Sequence, residues 1–585
     1  MIRFLLLLAT TPLFARSPQF DQRLHTIVEA YAHPTTAAPL GYANIAAKLW
    51  MHEDAPACSR RLEELLAAGP TGDMFWMFPV TAIAYVDRGQ LSDSARHALR
   101  ESFRTYMPYR GDTENHWLLY YTSLYLMAQM WPGQPGDQWY TGKSSAENQR
   151  EAAQWIENWV RLTTRRGQGE YDSPHYMGLY LLSMSYLAEW AADPAMKKRA
   201  AMMLDYLIAD YAAENLDGIY VGAHSRVYDN PVIEKWNNVS SDFGWLWFNV
   251  GRPLEPPDGY VIFYALASAY EPPEILQEIA TDRAKPYTHY ERKRTRNRWR
   301  FNDDLHGPVY KTTYVRQEYA VSSDQGGILQ PIQEHSWDVT WRVPDARGVH
   351  NTLFTLQPYS SLYELQTYFT FPPDTGISGV VSSKKTYDSP DKLVGGSPYE
   401  KIFQDQDTII ALYDIAPGTR FPHINGFFSK DLADIVEDKS GWIFARGGDA
   451  LIACRPLQPY SWRPIEGGGR RLFSPYLKNG MIVQVAARSE FAGMAAFQKA
   501  ILALPLEFHL NGAPSVRFRS LRNRTLTFTY GDTPRVDGTP LDYAQWPLFG
   551  GPFLEAAVDS EQLVLKYGNL RRTLDFRRLT VTDSR

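Results

Sequence analysis

Leu118-Leu119-Tyr120-Tyr121-Thr122-Ser123-Leu124-Tyr125-Leu126 and Leu179-Tyr180-Leu181-Leu182-Ser183-Met184-Ser185-Tyr186-Leu187 decide the fold. In both, apolar residues recur three and four positions apart, the period of a helix. Working outward, similar patterns lie near residues 20–32, 40–52, 57–68, 74–88, 92–107, 146–165, 195–213, 231–249, 258–270 and 273–282. Short polar turns separate them, so successive helices should pack antiparallel. So many hairpins in series predict a closed helical toroid.

Beyond about residue 305 the pattern changes. Leu353-Phe354-Thr355-Leu356, Thr408–Tyr413, Trp442–Ala445, Met481–Val485 and Thr525–Tyr530 read as strands, with Gly, Asp, Asn and Pro between them. Helices followed by strands imply separate layers, not alternating βαβ units. The expected fold is α+β multidomain: an N-terminal (α/α) toroid followed by a C-terminal antiparallel β-sandwich. The expected boundaries are 16–290 for the toroid, 291–304 for a basic linker and 305–585 for the sandwich. The glycine run Ile465–Gly469 lies among strands and reads as a hairpin turn, not a phosphate loop.

The 585 residues exceed one ordinary core, which fits two large domains. A formal net charge of −5 gives no global pull towards nucleic acid or anionic membranes. The segment from Arg283 to Arg300 is an exception, with Glu291 as its one acid. Such runs are usually solvated faces; here the run also suits an interdomain segment or a polyanionic glycan. Aromatic residues make up 14%, enough to serve a large core or a cleft that stacks on sugar rings.

Residues 1–15 read as a signal peptide: Arg3, an apolar stretch from Phe4 to Ala9, then Pro12-Leu13-Phe14-Ala15. The apolar stretch is too short to span a bilayer. The expected location is secreted or periplasmic, without a membrane anchor. Cys58 and Cys454 fall in different expected domains, so no bridge and no Cys-rich metal site is expected.

Three segments place His beside Asn, Arg or Tyr at loop-to-helix junctions: Glu114–Trp117, Glu170–Tyr176 and Gly222–Pro231. Thr113 and Ser173 are natural N-caps, and Pro174 suits a first helical position. With 146–165 an outer helix, the helices starting near 114 and 174 run the same way and open on one rim. The loop 214–230 returns to that rim. Helix N-termini there suit a bound carboxylate.

Those residue types fit proton removal beside a sugar carboxylate. Asn115 is the expected neutraliser, because its amide donates without titrating. Arg226 can add a two-pronged clamp. His116 and His175 are the candidate bases. Tyr176 and Tyr228 compete as the acid, and Tyr228 beside Arg226 suits both roles in a syn elimination. His224, Glu170, Trp117 and Trp236 are the expected substrate-binding residues.

With those residues in place, the chain resembles toroid-type polysaccharide lyases: alginate lyases, chondroitin and hyaluronate lyases, and the heparinase II/III group. Asn115-His116 resembles the Asn-His pair of alginate lyases, the stretch from Glu170 to Tyr176 resembles one ending in His-Tyr, and Arg226 and Tyr228 resemble their Arg and Tyr. The resemblance implies β-elimination on a uronic-acid-containing anionic polysaccharide, without a cofactor. It also raises a β-domain metal, for which His335, Asp338 and His350 are the nearby residues; the odd spacing of His335 and Asp338 predicts opposite strand faces. Two other classes compete. A glycoside hydrolase would use Glu114, Glu170 and Asp172, and a glycan-binding protein would have no chemistry.

Overall fold

The computed structural model describes residues 16–36, 38–67, 74–106, 110–111, 113–267, 270–294, 308–326, 333–360 and 386–585. The expected signal peptide lies outside the described residues. No described helix is long and apolar enough to cross a membrane.

The helical half contains α1 (Pro18–Ala32), α2 (Tyr42–Trp50), α3 (Ala55–Ala67), α4 (Met77–Val86), α5 (Asp93–Thr105), α6 (Glu114–Met130) and α7 (Ser145–Arg166). It continues with α8 (Met177–Trp190), α9 (Pro194–Ala213), α10 (Asp229–Ile233), α11 (Val239–Phe248), α12 (Gly259–Leu266) and α13 (Glu274–Thr281). Helices α2, α4, α6, α8 and α12 touch in that order, and α12 returns to α2. This closes an inner ring, with α1, α3, α5, α7 and α9 packed behind it. Composition explains the sorting. Helices α4, α6, α8 and α12 are apolar on nearly every side and bury accordingly, whereas α5 and α7 each carry one apolar stripe.

Two local features set the site loops. The Thr113 hydroxyl caps α6 by accepting from His116 N. Ser173 does cap, but one turn before α8: its Oγ accepts from Tyr176 N at 3.1 Å. The lead-in turn is tight, with Leu179 N bonded to Tyr176 O at 3.0 Å, so His175 and Tyr176 stand at its mouth. The helix expected over 231–249 is interrupted between Ile233 and Val239. Lys235 sits in that gap, buried and paired with Asp338 Oδ2 at 2.5 Å.

Among the described residues, the strands include two large antiparallel sheets, one of nine strands and one of six. They share a core that joins Val339, Leu353 and Phe428 to Ala411, Ile452 and Val483. This is the expected sandwich. Pro464 pairs with Arg470, so Ile465–Gly469 is indeed a hairpin turn. Its Gly467, Gly468 and Gly469 all have positive φ, which glycine adopts without a Cβ penalty.

The basic run differs from its expected solvated form. Tyr287–Lys293 is a strand of the large sheet, and Lys293 and Arg294 are buried. Acids from the helical half, together with Glu291 of the same strand, account for this. Lys293 Nζ lies 2.8 Å from Asp172, 2.6 Å from Asp210 and 2.9 Å from Glu291. Lys311 Nζ meets Asp172 at 2.6 Å, Glu291 at 3.4 Å and also Glu214. The network ties the loop carrying Asp172 to the sheet. Another departure is the C-terminal sheet of Leu554–Ser584, which buries Leu563, Leu565, Leu574 and Phe576 in the helical core.

Below the same loop, the Tyr171 hydroxyl donates to Asp324 Oδ2 at 2.8 Å. Burial pushes Asp324 up to about 8 and Glu400 up to about 7. A raised folded pKa stabilises the fold below the ordinary carboxylate range, and that contribution is lost as pH climbs through the folded value. The contribution of these two carboxyls should therefore be lost between about pH 4 and pH 8, so the melting temperature of Asp324→Asn should rise relative to that of the unsubstituted protein as pH climbs through that range. A melting series over that range, with equal slopes for both proteins, would contradict this.

Candidate functional site

Glu170 is the hub. Its side chain is 0% exposed, and its carboxylate gathers donors from the other two sequence segments and from α8. Oε2 accepts from Asn115 N at 3.0 Å, Asn115 Nδ2 at 2.5 Å and the Tyr180 hydroxyl at 3.0 Å. Oε1 accepts from Arg226 Nη1 at 3.3 Å. A buried carboxylate needs such neutralisation, and the arrangement fixes both the amide and the guanidinium. An amide has two N–H donors, and Glu170 takes one from Asn115.

The guanidinium of Arg226 continues to the tyrosines. Its Nη2 lies 3.4 Å from the Tyr176 hydroxyl, and its centre sits 4.8 Å from that ring's centroid. Arg226 has φ 55°, an uncommon value for a non-glycine residue, at the turn that aims it inward. The Tyr176 and Tyr228 hydroxyls are 2.7 Å apart. Tyr176 is buried and Tyr228 half-buried, so Tyr228 stands nearer the opening. Burial drives the Tyr176 hydroxyl well above its ordinary range despite Arg226, which keeps it protonated.

His175 lies against both rings, with centroids 4.8 Å from Tyr176 and 6.3 Å from Tyr228. Burial lowers its pKa below the usual 6.5, with Asp258 opposing, so at neutral pH the imidazole is neutral and able to accept a proton. Tyr260 of α12 sits edge-on to His175 at 5.7 Å, and its backbone N donates to Asp258 Oδ1. Neither Tyr260 nor Asp258 belongs to the three segments. Asp258 is visible in sequence as a helix cap, but nothing there links it to His175.

Asn115, Glu170, Tyr176, Arg226, Tyr228 and His175 thus come together. Other expected residues stand elsewhere. His116 follows Asn115, with its ring edge-on to Phe75 at 5.1 Å. Trp117 faces α7: its indole lies 3.9 Å from the Arg110 guanidinium and its Nε1 donates to Gly111 O. Trp236 packs on the small cluster of Leu216, Ile219 and Val221. His224 is 0% exposed and forms a two-way backbone bridge with His335. Burial lowers its pKa well below 6.5.

Each carboxylate of the hydrolase alternative is already committed. Glu114 pairs with Arg294 at 2.6 Å and accepts from Trp159 Nε1 and from the backbone of Gly169 and Glu170. Asp172 holds Lys293 and Lys311. Glu170 holds Asn115 and Arg226.

His335 and Asp338 do not take opposite faces: His335 Nε2 lies 3.0 Å from Asp338 Oδ2. His335 precedes the strand Trp337–Trp341, so strand alternation does not reach it. His350 instead lies 3.6 Å from Glu234. Among the described residues, ligand atoms converge at Asp210, His289 and Glu291, and at Asp172, Glu214 and Glu291. Lysine ammonium groups already neutralise these acids.

No family model and no curated protein matches the chain. Among solved structures it is similar to the heparan sulfate lyase HepC from Pedobacter heparinus, at 9% identity over 89% of this chain and 90% of that one, with a TM-score of 0.37. It is also similar to a heparinase III, at 9% identity over 83% and 81%, with a TM-score of 0.40. These likenesses are too distant to carry function.

Proposed function

We propose that the chain is a polysaccharide lyase: it cleaves a uronic-acid-containing glycan by β-elimination and leaves an unsaturated uronate end. The observation that carries this is the continuous chain Asn115–Glu170–Arg226–Tyr176–Tyr228, with His175 against its tyrosine end. It joins an anion-binding end to a proton-transfer end. The catalytic domain is then the helical half, residues 16–290.

The sugar carboxylate is drawn to Arg226 and to the second amide N–H of Asn115, which oppose the charge that builds as an enolate forms. Neutral His175 takes the proton alpha to that carboxylate. The released electron pair forms the C=C bond as the bond to the glycosidic oxygen breaks. Tyr228 protonates the leaving oxygen, backed by the protonated Tyr176 hydroxyl 2.7 Å away. Glu170 touches none of the reacting atoms and acts by holding Asn115 and Arg226.

A screen of alginate, glucuronan, pectin-like, ulvan-like and glycosaminoglycan polymers for new ultraviolet absorbance tests this. At least one should give an unsaturated product, and silence across all of them would overturn the proposal. With the responding polymer, Arg226→Lys should raise KM about tenfold, because a point charge cannot hold Glu170, Tyr176 and a carboxylate together. An unchanged KM would remove the clamp.

A further inference from the structure

On the large sheet, Arg463 of strand Ser461–Pro464 is the direct cross-strand partner of Arg471 in Arg470–Ser474. Directly opposed residues share a face, and like charges so placed repel. Arg471 is relieved by an ion pair with Asp391. Arg463 is not: its guanidinium lies on the Phe473 ring, 3.2 Å from the centroid, and among the described residues no ion pair involves it. His423 packs on the same ring at 4.7 Å. Burial lowers its pKa, and Arg471 and Arg463 lower it further, so it adds no charge at neutral pH. A half-buried arginine held flat on an aromatic ring is preorganised for an anion that the described residues do not supply.

The same stretch of chain links this place to the candidate site. Thr386 Oγ1 donates to Asp229 Oδ2, next to Tyr228, and Tyr387 accepts from Gln333. His423 and Asn425 contact Pro390 O, and Asp391 then reaches Arg471. From Tyr387 to Asp391 a fully extended chain covers at most about 14 Å. The side chains of Asp229 and Thr386 at one end, and of Asp391, Arg471 and Arg463 at the other, add to that span, so a glycan must be longer than a short oligosaccharide to reach from one place to the other.

Resting on the lyase proposal, we infer that Arg463, with Arg471 beside it, forms a distal subsite for an acidic group of the same polymer, several sugars away from the bond that breaks. The subsite selects long polyanionic chains over short ones. Its ligand is a carboxylate or a sulfate on the glycan.

The test is calorimetric binding with the full chain carrying Tyr228→Phe, which slows turnover about a thousandfold, with and without Arg463→Ala. The probes are long fragments and tetrasaccharides of alginate, which bears carboxylates alone, and of heparin, which also bears sulfates. Arg463→Ala should weaken long-fragment binding about fivefold for at least one polymer and leave the tetrasaccharides unchanged. The polymer affected identifies the group, and Arg463→Lys should restore part of the loss. Equal affinity with and without Arg463, equal loss for tetrasaccharides, or no binding of any long fragment would overturn the subsite. Failure of elimination shows separately, as no unsaturated product from the unmodified enzyme.

Discussion

Tyr228→Phe should lower turnover by about a thousandfold, within the range for loss of a positioned general acid. The substitution removes one oxygen. That oxygen is 2.7 Å from the Tyr176 hydroxyl and on the exposed side of the pair. The ring, its packing beside His175 and the charge of Arg226 all remain, so KM and the melting temperature should change little. Tyr176→Phe should cost less, because Tyr176 supports Tyr228 without touching the leaving oxygen. If Tyr176→Phe proved the more damaging, the two roles would be exchanged. Full activity in Tyr228→Phe would remove Tyr228 from the chemistry.

Lys311→Ala should destabilise the protein by about 3–5 kcal/mol, the usual cost of breaking a buried ion pair from one side. Asp172, Glu214 and Glu291 all converge on its ammonium; without it Glu214 would lose its ion pair and Lys293 alone would face Asp172, Asp210 and Glu291. Activity should fall as well, because Asp172 belongs to the loop that carries His175 and Tyr176. Denaturant unfolding followed by fluorescence measures the effect. A midpoint equal to wild type would mean that the network does not hold the two halves together.

Much of the fold was legible where local rules dominate. The apolar spacing of α6 and α8, the Thr113 cap and the turn at Ile465–Gly469 all follow from neighbours within a few residues. Features set by distant partners were not. Lys235 sits in a helix break and pairs with Asp338, which is far away in sequence. Lys293 and Arg294 looked solvated because the acids that bury them come from other segments. The strands from Leu554 onward showed their alternation, but not that their apolar side meets helices.

The site divides in the same way. The co-location of Asn115, Tyr176, Arg226 and Tyr228 followed from helix direction and rim position. The place of Glu170 did not, because a carboxylate in a loop gives no sign that four donors will surround it. Trp117 and Trp236 were chosen as rings able to stack on sugars, yet each is occupied by neighbouring protein.

The most direct measurement is mass spectrometry of the products formed from a uronate polymer in water enriched in heavy oxygen. Elimination gives a new end one water lighter than a hydrolysis product, with a C=C bond and no heavy oxygen. Products carrying heavy oxygen, with intact saturated ends, would mean that water had cleaved the bond and that the roles of His175 and Tyr228 given above are wrong.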